Sequence, residues 1–319
     1  MRTNIIYNKD CLAGLKDLPD NSIDCCVTSP PYFNLRDYGV EGQMGLEDTP
    51  EAYIQKLVCV FDEVHRILRP DGTLWVNIGD SYAGSGKGGA CYPDNAKKYK
   101  QGTNEGSIAI PATAKQYAGY KNKDLIGIPW MLAFALRSRG WYLRQDIIWA
   151  KPNPMPESVK DRCVRSHEYI FLFSKSHKYY FDSEAIREPA QTQGKSMGTS
   201  RYGGKKYTAT PNVFSRTKSG NAYVNNGFRT KRDVWIVPTR PFPGPHFAVF
   251  PESLIVNCIL AGCPEGGVVL DPFMGSGTTA VVARKTNRRY VGFELNMSYI
   301  EIALARLRSE LGLFNTATP

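Results

Sequence analysis

The chain has 319 residues, 42% of them hydrophobic, which is enough for one α/β core carrying insertions. Lys and Arg outnumber Asp and Glu by 40 to 30, and the resulting charge of +10 points to a polyanionic partner. No run of 18 apolar residues is present and the N-terminus, Met1 to Asp10, has no apolar signal region, so a cytoplasmic protein with no membrane partner is expected.

Asn4–Tyr7 predicts a short strand, and a brief helical pattern follows through Leu15. Ile23–Thr28 is an apolar run of strand length, ended by Ser29-Pro30-Pro31. From Pro50 to Leu68, helical spacing places Tyr53, Leu57, Phe61, Val64 and Leu68 on one face. Asp71-Gly72 reads as a turn before a strand at Thr73–Ile78. Ser81–Asp124 breaks the rhythm: it is rich in Gly, Lys, Tyr and Asn and reads as a long, partly mobile insertion. Alternation resumes with a helix at Leu125–Arg139 and strands at Leu143–Trp149 and Tyr169–Ser174. Ser183–Arg232 is again polar and basic, dotted with Tyr, Phe and Gly. A helix near Pro251–Ala261, a strand at Val268–Leu270, a helix from about Thr278 to Lys285, a strand at Tyr290–Glu294 and a helix from Ser298 to Leu311 close the chain. Strands and helices in alternation, with apolar strands, predict a parallel or mostly parallel sheet covered on both faces.

The charge is unevenly placed. Ser183–Arg232 holds 10 Lys/Arg against 2 Asp/Glu, and Ser81–Asp124 holds 7 against 3, so the rest of the chain is slightly negative. Phosphate contacts would explain basic insertions of this kind, and the bland alternative is a pair of solvated loops. The eight cysteines form no CxxC pair and there are only four histidines, so no metal site is expected and most of the thiols, set in apolar runs, read as reduced core residues.

Three segments carry chemistry. In Val268-Val269-Leu270-Asp271-Pro272-Phe273-Met274-Gly275-Ser276-Gly277-Thr278-Thr279 an apolar strand runs through a glycine turn into a helix, whose free N–H groups suit a phosphate or carboxylate. It is neither a full GxGxxG fingerprint, since Ala280 occupies the third position, nor a phosphate-binding loop, since GK[ST] is missing. Glu294 ends the next strand about 20 residues on, where an acid commonly binds ribose hydroxyls. Thr28-Ser29-Pro30-Pro31-Tyr32 follows a strand, where open α/β sheets place ligands: a serine oxygen and a proline carbonyl can accept from an amino group, and a tyrosine ring can stack on a base.

Together the glycine-turn segment and the Ser-Pro-Pro-Tyr segment resemble the paired signatures of amino-group DNA methyltransferases, which act on cytosine N4 or adenine N6. The catalytic segment comes first, the basic variable region second and the cofactor loop last, the order of the family's beta group. Weaker similarities span most of the chain: Asn8 through Asp20, Asp71 through Asn77, Trp149 through Pro152, His167 through Tyr169, and His246 through Pro251. The resemblance implies a Rossmann-like α/β methyltransferase fold with circularly permuted motif order and an inserted target-recognition region. Residues 1–182 would form the catalytic half, with the basic insertion at 81–124; 183–232 would recognise the target; 233–319 would form the cofactor-binding half. S-adenosylmethionine is the implied cofactor. Asp271, Phe273, Gly275, Ser276, Gly277 and Thr278 would hold its methionine end, Glu294 its ribose and Asp10 its adenine. Ser29, Pro30, Pro31 and Tyr32 would grip a flipped base. Double-stranded DNA is the implied partner, and a homodimer and a cognate restriction endonuclease are the further partners found in such families.

Within the family a serine at the first motif position is more common in cytosine-N4 enzymes and an aspartate in adenine-N6 enzymes, so Ser29 leans toward cytosine and leaves adenine as the alternative. RNA or protein amino-group methyltransferases share the Pro-Pro-Tyr grip but usually carry Asn first and the cofactor loop earlier. A non-catalytic DNA-binding protein on this fold would need a damaged cofactor loop, and a nucleotide oxidoreductase leaves the Ser-Pro-Pro-Tyr segment unexplained.

Overall fold

In a computed structural model of the protein, residues 1–84, 117–190, 227–239 and 250–312 are described. The chain divides into two compact units, Met1–Asp182 with Asp233–Pro319, and Ser183–Arg232.

The strands among the described residues, in chain order, are β1 (Ile5–Asn8), β2 (Ile23–Thr28), β3 (Leu68–Ile78), β4 (Tyr142–Ala150), β5 (His167–Ser174), β6 (Glu188–Pro189), β7 (Phe228–Arg229), β8 (Val234–Ile236), β9 (Val268–Asp271) and β10 (Arg289–Glu294). All but β6 and β7 form the eight-stranded sheet of the larger unit, in the order β1-β10-β9-β2-β3-β5-β4-β8. Neighbouring pairs in it are parallel except those made by β5, which runs against β3 and β4. The carboxyl ends of the other seven strands and the amino end of β5 therefore share one edge of the sheet.

Among the described residues six helices cover it: α1 (Cys11–Lys16), α2 (Pro50–Ile67), α3 (Ile128–Ser138), α4 (Glu252–Gly262), α5 (Thr278–Lys285) and α6 (Met297–Leu311). In α2, Thr49 caps the first turn by accepting from the Ala52 N–H, Pro50 suits the first helical position, and Tyr53, Leu57, Phe61 and Val64 are fully buried on one face. That face joins one core with Cys26, Leu74, Val76, Phe171 and Phe173. The alternate residues of the same strands point the other way. There α4 lies so close that a Cβ on Gly262 would come within 2.4 Å of Trp75 Nε1 and 2.5 Å of Thr73 Oγ1. With apolar residues buried on both faces, β2 fits a central position.

At three places the structure departs from or adds to the expected elements. Asp71-Gly72 does not end an element: β3 continues from Leu68, and the ladder slips from Ile23–Leu68 to Cys25–Thr73, so residues 69–72 bulge out of it. Strand β8 is absent from the predicted elements, because three residues of which Val234 and Ile236 are exposed carry no pattern of their own; pairing with β4 makes the strand. The insertion at 81–124 is closed at its neck, where Ala83 N–H donates to Asp124 O and Ile126 N–H to Ser81 O, and Tyr117 returns to the core against Phe33. The expected mobility concerns 85–116, which lies outside the described residues.

In the smaller unit, β6 pairs antiparallel with β7, and Glu188 accepts from both Arg229 and Arg232. Residues 191–226, with most of the basic charge, lie outside the described residues, as do 240–249. Five cysteines, at 11, 25, 26, 258 and 263, are buried and reduced; Cys59 and Cys163 are exposed. Among the described residues no helix is long and apolar enough to cross a membrane and no group of three or more His, Cys, Asp or Glu could hold a metal.

Candidate functional site

A cleft of about 950 Å³ opens along the edge where the strand ends gather, as open α/β sheets place their ligands. Both sequence motifs reach it. Ser29, Pro30, Pro31 and Tyr32 line one wall, after β2; Phe273, Gly275, Ser276, Thr278 and Glu294 line the other, after β9 and β10; Asp10 lies beside them after β1.

The glycine loop is held from beneath. Asp271 ends β9 fully buried, and its carboxylate accepts from Thr28 Oγ1 and Thr279 Oγ1, each at 2.6 Å, and from the Phe273 N–H. Burial pushes its pKa up to about 6 despite these hydrogen bonds. Asp271 does not line the cleft; it ties β2, the loop and α5 together. Gly277 does not line the cleft either. It starts α5 at φ +80°, and a Cβ there would sit 2.7 Å from that of Ala303 in α6, so close helix packing requires this glycine.

Ser276 and Thr278 reach the cleft with little of their side chains. Both are almost wholly buried, and Arg306 of α6 donates to Ser276 O and Oγ and to Thr278 Oγ1 at 3.0–3.3 Å. Their hydroxyls are thus turned toward a guanidinium and the loop offers backbone instead, including the first turn of α5. Arg306, 28 residues beyond Thr278, carries no signal in the sequence; a lone Arg on a terminal helix reads as solvated.

Glu294 accepts from the Gly275 N–H with one carboxylate oxygen and the Asn296 N–H with the other, both at 2.8 Å. Burial raises its pKa above the ordinary 4.5. Each oxygen retains a lone pair for a hydroxyl donor. Asp10 caps α1, accepting from the Ala13 N–H at 2.9 Å with Oδ1.

On the opposite wall the side chains form a hydrogen-bonded group. The Pro31 carbonyl accepts from the buried Tyr53 hydroxyl at 2.8 Å, whereas the Pro30 carbonyl has no donor among the described residues. The Tyr32 hydroxyl donates to Glu168 Oε2 at 2.6 Å, and Ser29 Oγ donates to the Tyr32 oxygen at 3.5 Å. Burial, then the Glu168 charge, raises the Tyr32 pKa. Asn77 at the end of β3 donates to Glu168 Oε2 and Tyr169 O; Lys151 after β4 pairs with Glu168 Oε1 and lies 4.3 Å from the Trp149 ring centre. Gly79 makes room, since a Cβ would come within 2.7 Å of the Tyr32 ring. Asn77, Lys151 and Glu168 are not among the site residues expected from the sequence. Polar residues at the ends of apolar strands are the available signal, and three strands distant in sequence must be aligned to use it.

A family model described as DNA methylase matches residues 23–305. The type II methyltransferase M.Cfr9I of Citrobacter freundii is 47% identical over 96% of this chain and 88% of its own length. The type II methyltransferase M.XycI of Xanthomonas campestris pv. cyanopsidis is 46% identical over 97% and 89%. Among solved structures, the PvuII cytosine-N4-specific DNA methyltransferase superposes with a TM-score of 0.61 at 18% identity, covering 94% of this chain and 85% of that one. A DNA modification methylase from Thermus thermophilus, complexed with S-adenosyl-L-methionine, gives 0.58 at 22% identity, covering 97% and 95%. With the family model matching most of its length and relatives nearly half identical across it, the chain belongs to the N6/N4 DNA methylase family.

Proposed function

We propose that this DNA methyltransferase moves a methyl group from S-adenosylmethionine to the exocyclic N4 of a cytosine flipped out of double-stranded DNA. The observation that carries the reading is the convergence of Ser29-Pro30-Pro31-Tyr32 and the glycine loop with Glu294 on one cleft. The residues fit the cofactor's chemistry. Glu294 can accept from ribose hydroxyls, the glycine loop and the start of α5 present N–H groups to a carboxylate, and Phe273 and Pro272 give apolar surface. Bound there, S-adenosylmethionine supplies a methyl group activated by a sulfonium leaving group.

A base amino group is a weak nucleophile because its lone pair is delocalised into the ring. Ser29 Oγ and the Pro30 carbonyl accept its two N–H groups, favouring a tetrahedral nitrogen whose lone pair faces the glycine-loop wall. On receiving the methyl group the nitrogen would lose a proton through its hydrogen-bonded acceptor to water. Catalysis is positioning and electrostatics, with no covalent enzyme intermediate. Tyr32 stacks on the flipped base.

Cytosine is favoured by Ser29 at the first motif position and by the name of the PvuII fold neighbour; adenine N6 is the alternative. The Ser183–Arg232 unit, with its 10 Lys/Arg, is assigned to target recognition, between catalytic and cofactor-binding halves at 1–182 and 233–319. Because the relatives are type II methyltransferases, we place the protein in the cytoplasm beside a cognate endonuclease. A tritiated methyl-transfer assay with DNA, RNA and protein acceptors, followed by nucleoside analysis of the product, tests this. N4-methylcytosine in DNA is expected; N6-methyladenine would overturn the base assignment, and label in RNA or protein alone would overturn the substrate.

A further inference from the structure

Four residues of the base-side wall form a chain with a direction. Glu168, at the start of β5, is paired with Lys151; their side chains are only 15% and 18% exposed. A carboxylate held in an ion pair can accept hydrogen bonds but not donate them. The Tyr32 hydroxyl, 2.6 Å from Glu168 Oε2, must therefore direct its single hydrogen there and away from Asn77 Oδ1, which is neutral and more distant at 3.3 Å. The Tyr32 oxygen is left as an acceptor, and the nearby donor is Ser29 Oγ–H, at the long limit of 3.5 Å. With its hydrogen turned toward Tyr32, Ser29 presents lone pairs to the cleft it lines.

We propose that Glu168 is a positioning residue that sets the direction of the Ser29–Tyr32–Glu168 hydrogen-bond chain, so that Ser29 meets the target amino group as an acceptor. A serine hydroxyl alone has no such preference: its hydrogen rotates freely, and pointed at an amino group it would set donor against donor. Glu168 touches no substrate in this account and acts through Tyr32, with Lys151 as its countercharge. The inference rests on the assignment of Ser29-Pro30-Pro31-Tyr32 as the base-binding turn.

Glu168→Gln removes the fixed direction of the chain with almost no change of shape. Lys151 can only donate, so it draws the glutamine carbonyl toward itself and leaves the amide NH2 facing Tyr32. Tyr32 then accepts from residue 168, and its own hydrogen, no longer held on a carboxylate, can turn to Ser29 or to Asn77 Oδ1, so the Ser29 hydrogen is no longer kept away from the base. The test is single-turnover methyl transfer at saturating S-adenosylmethionine and DNA, with cofactor affinity measured alongside, for wild type, E168Q, Y32F, E168Q/Y32F and S29A. We expect E168Q to slow transfer about tenfold or more, with cofactor affinity unchanged. Y32F keeps the Glu168–Lys151 pair intact and removes only the linking hydroxyl, so it should lose a similar factor. Adding E168Q to Y32F should then cost nothing further, which a merely structural glutamate would not reproduce. E168Q or Y32F transferring at the wild-type rate, or E168Q costing as much with Tyr32 replaced as with it present, would overturn the proposal. S29A separates the two readings: if it also transfers at the wild-type rate the base-binding assignment has failed, whereas slow S29A with fast E168Q removes Glu168 alone.

Discussion

On the glycine-loop wall of the cleft the polar side chains are turned away from the ligand space: Ser276 and Thr278 toward Arg306, Asp271 toward Thr28 and Thr279. On the Ser-Pro-Pro-Tyr wall Ser29, Tyr32, Asn77, Lys151 and Glu168 line the cleft, and their side chains bond to one another. The difference follows from the two tasks. Under the proposed function one wall would hold a cofactor whose polar groups backbone N–H groups and one carboxylate can satisfy. The other would orient a weak nucleophile, which calls for hydrogen-bonding atoms of fixed direction. Substitutions on the first wall should act through loop geometry and change cofactor affinity. Those on the second should change the methyl-transfer step.

The largest effect is expected at Gly275. It sits at φ +51° with its N–H on Glu294, a backbone conformation a β-branched residue adopts only under strain. Gly275→Val should abolish measurable S-adenosylmethionine binding in calorimetry while the circular dichroism spectrum stays native; wild-type affinity would break the assignment of this wall. Arg306→Met should follow. It leaves two buried hydroxyls and a carbonyl without their donor, at a cost of about 1–3 kcal/mol, and loosens the loop. Cofactor affinity should fall about tenfold, with the transfer rate at saturation little changed.

Glu294 gives a smaller, pH-dependent effect. Burial raises its pKa above 4.5, so it takes up a proton at a higher pH than an ordinary glutamate. Cofactor affinity should be full above that raised value and decline as pH falls through it. Titration calorimetry of Glu294→Gln should give weaker binding with a flatter profile over the same range; an equally steep profile would place the titrating group elsewhere. The smallest expected change is at Lys205 and Lys206, in the basic unit. Replacing both with alanine should reduce the slope of log affinity for DNA against log salt by up to about 2, since each phosphate contact releases about one counterion.

Much of the sheet is legible in the sequence because its strands are apolar and bounded by turn residues: Ile23–Thr28 and the helix Thr278–Lys285 have the bounds their patterns predict. The bulge at 69–72 reads as a turn because Asp-Gly is a turn signal, and local composition does not show that the strand pairs on both sides of it. At the site, Ser29, Tyr32 and Glu294 stand out by motif and spacing. Asp271 and Gly277 stand out as well, but the same features serve an internal strut and a close helix contact. Glu168, Asn77 and Arg306 do not stand out because the contacts that bring them to the site, to Tyr32, Glu168 and Thr278, span 136, 91 and 28 residues and form only through the sheet order and helix packing.

The contrast between the walls, and with it the assignment of chemistry to Ser29, is tested most directly by Ser29→Ala. Single-turnover transfer to DNA and S-adenosylmethionine affinity should be measured on the same preparation. The hydroxyl is needed most as the nitrogen becomes tetrahedral, so transfer at saturating cofactor should slow by about 10²–10³-fold, comparable to loss of one oxyanion-hole donor, while cofactor affinity remains that of the wild type. Transfer at the wild-type rate would show that the segment is only a turn after β2, and that the methyl group is received elsewhere.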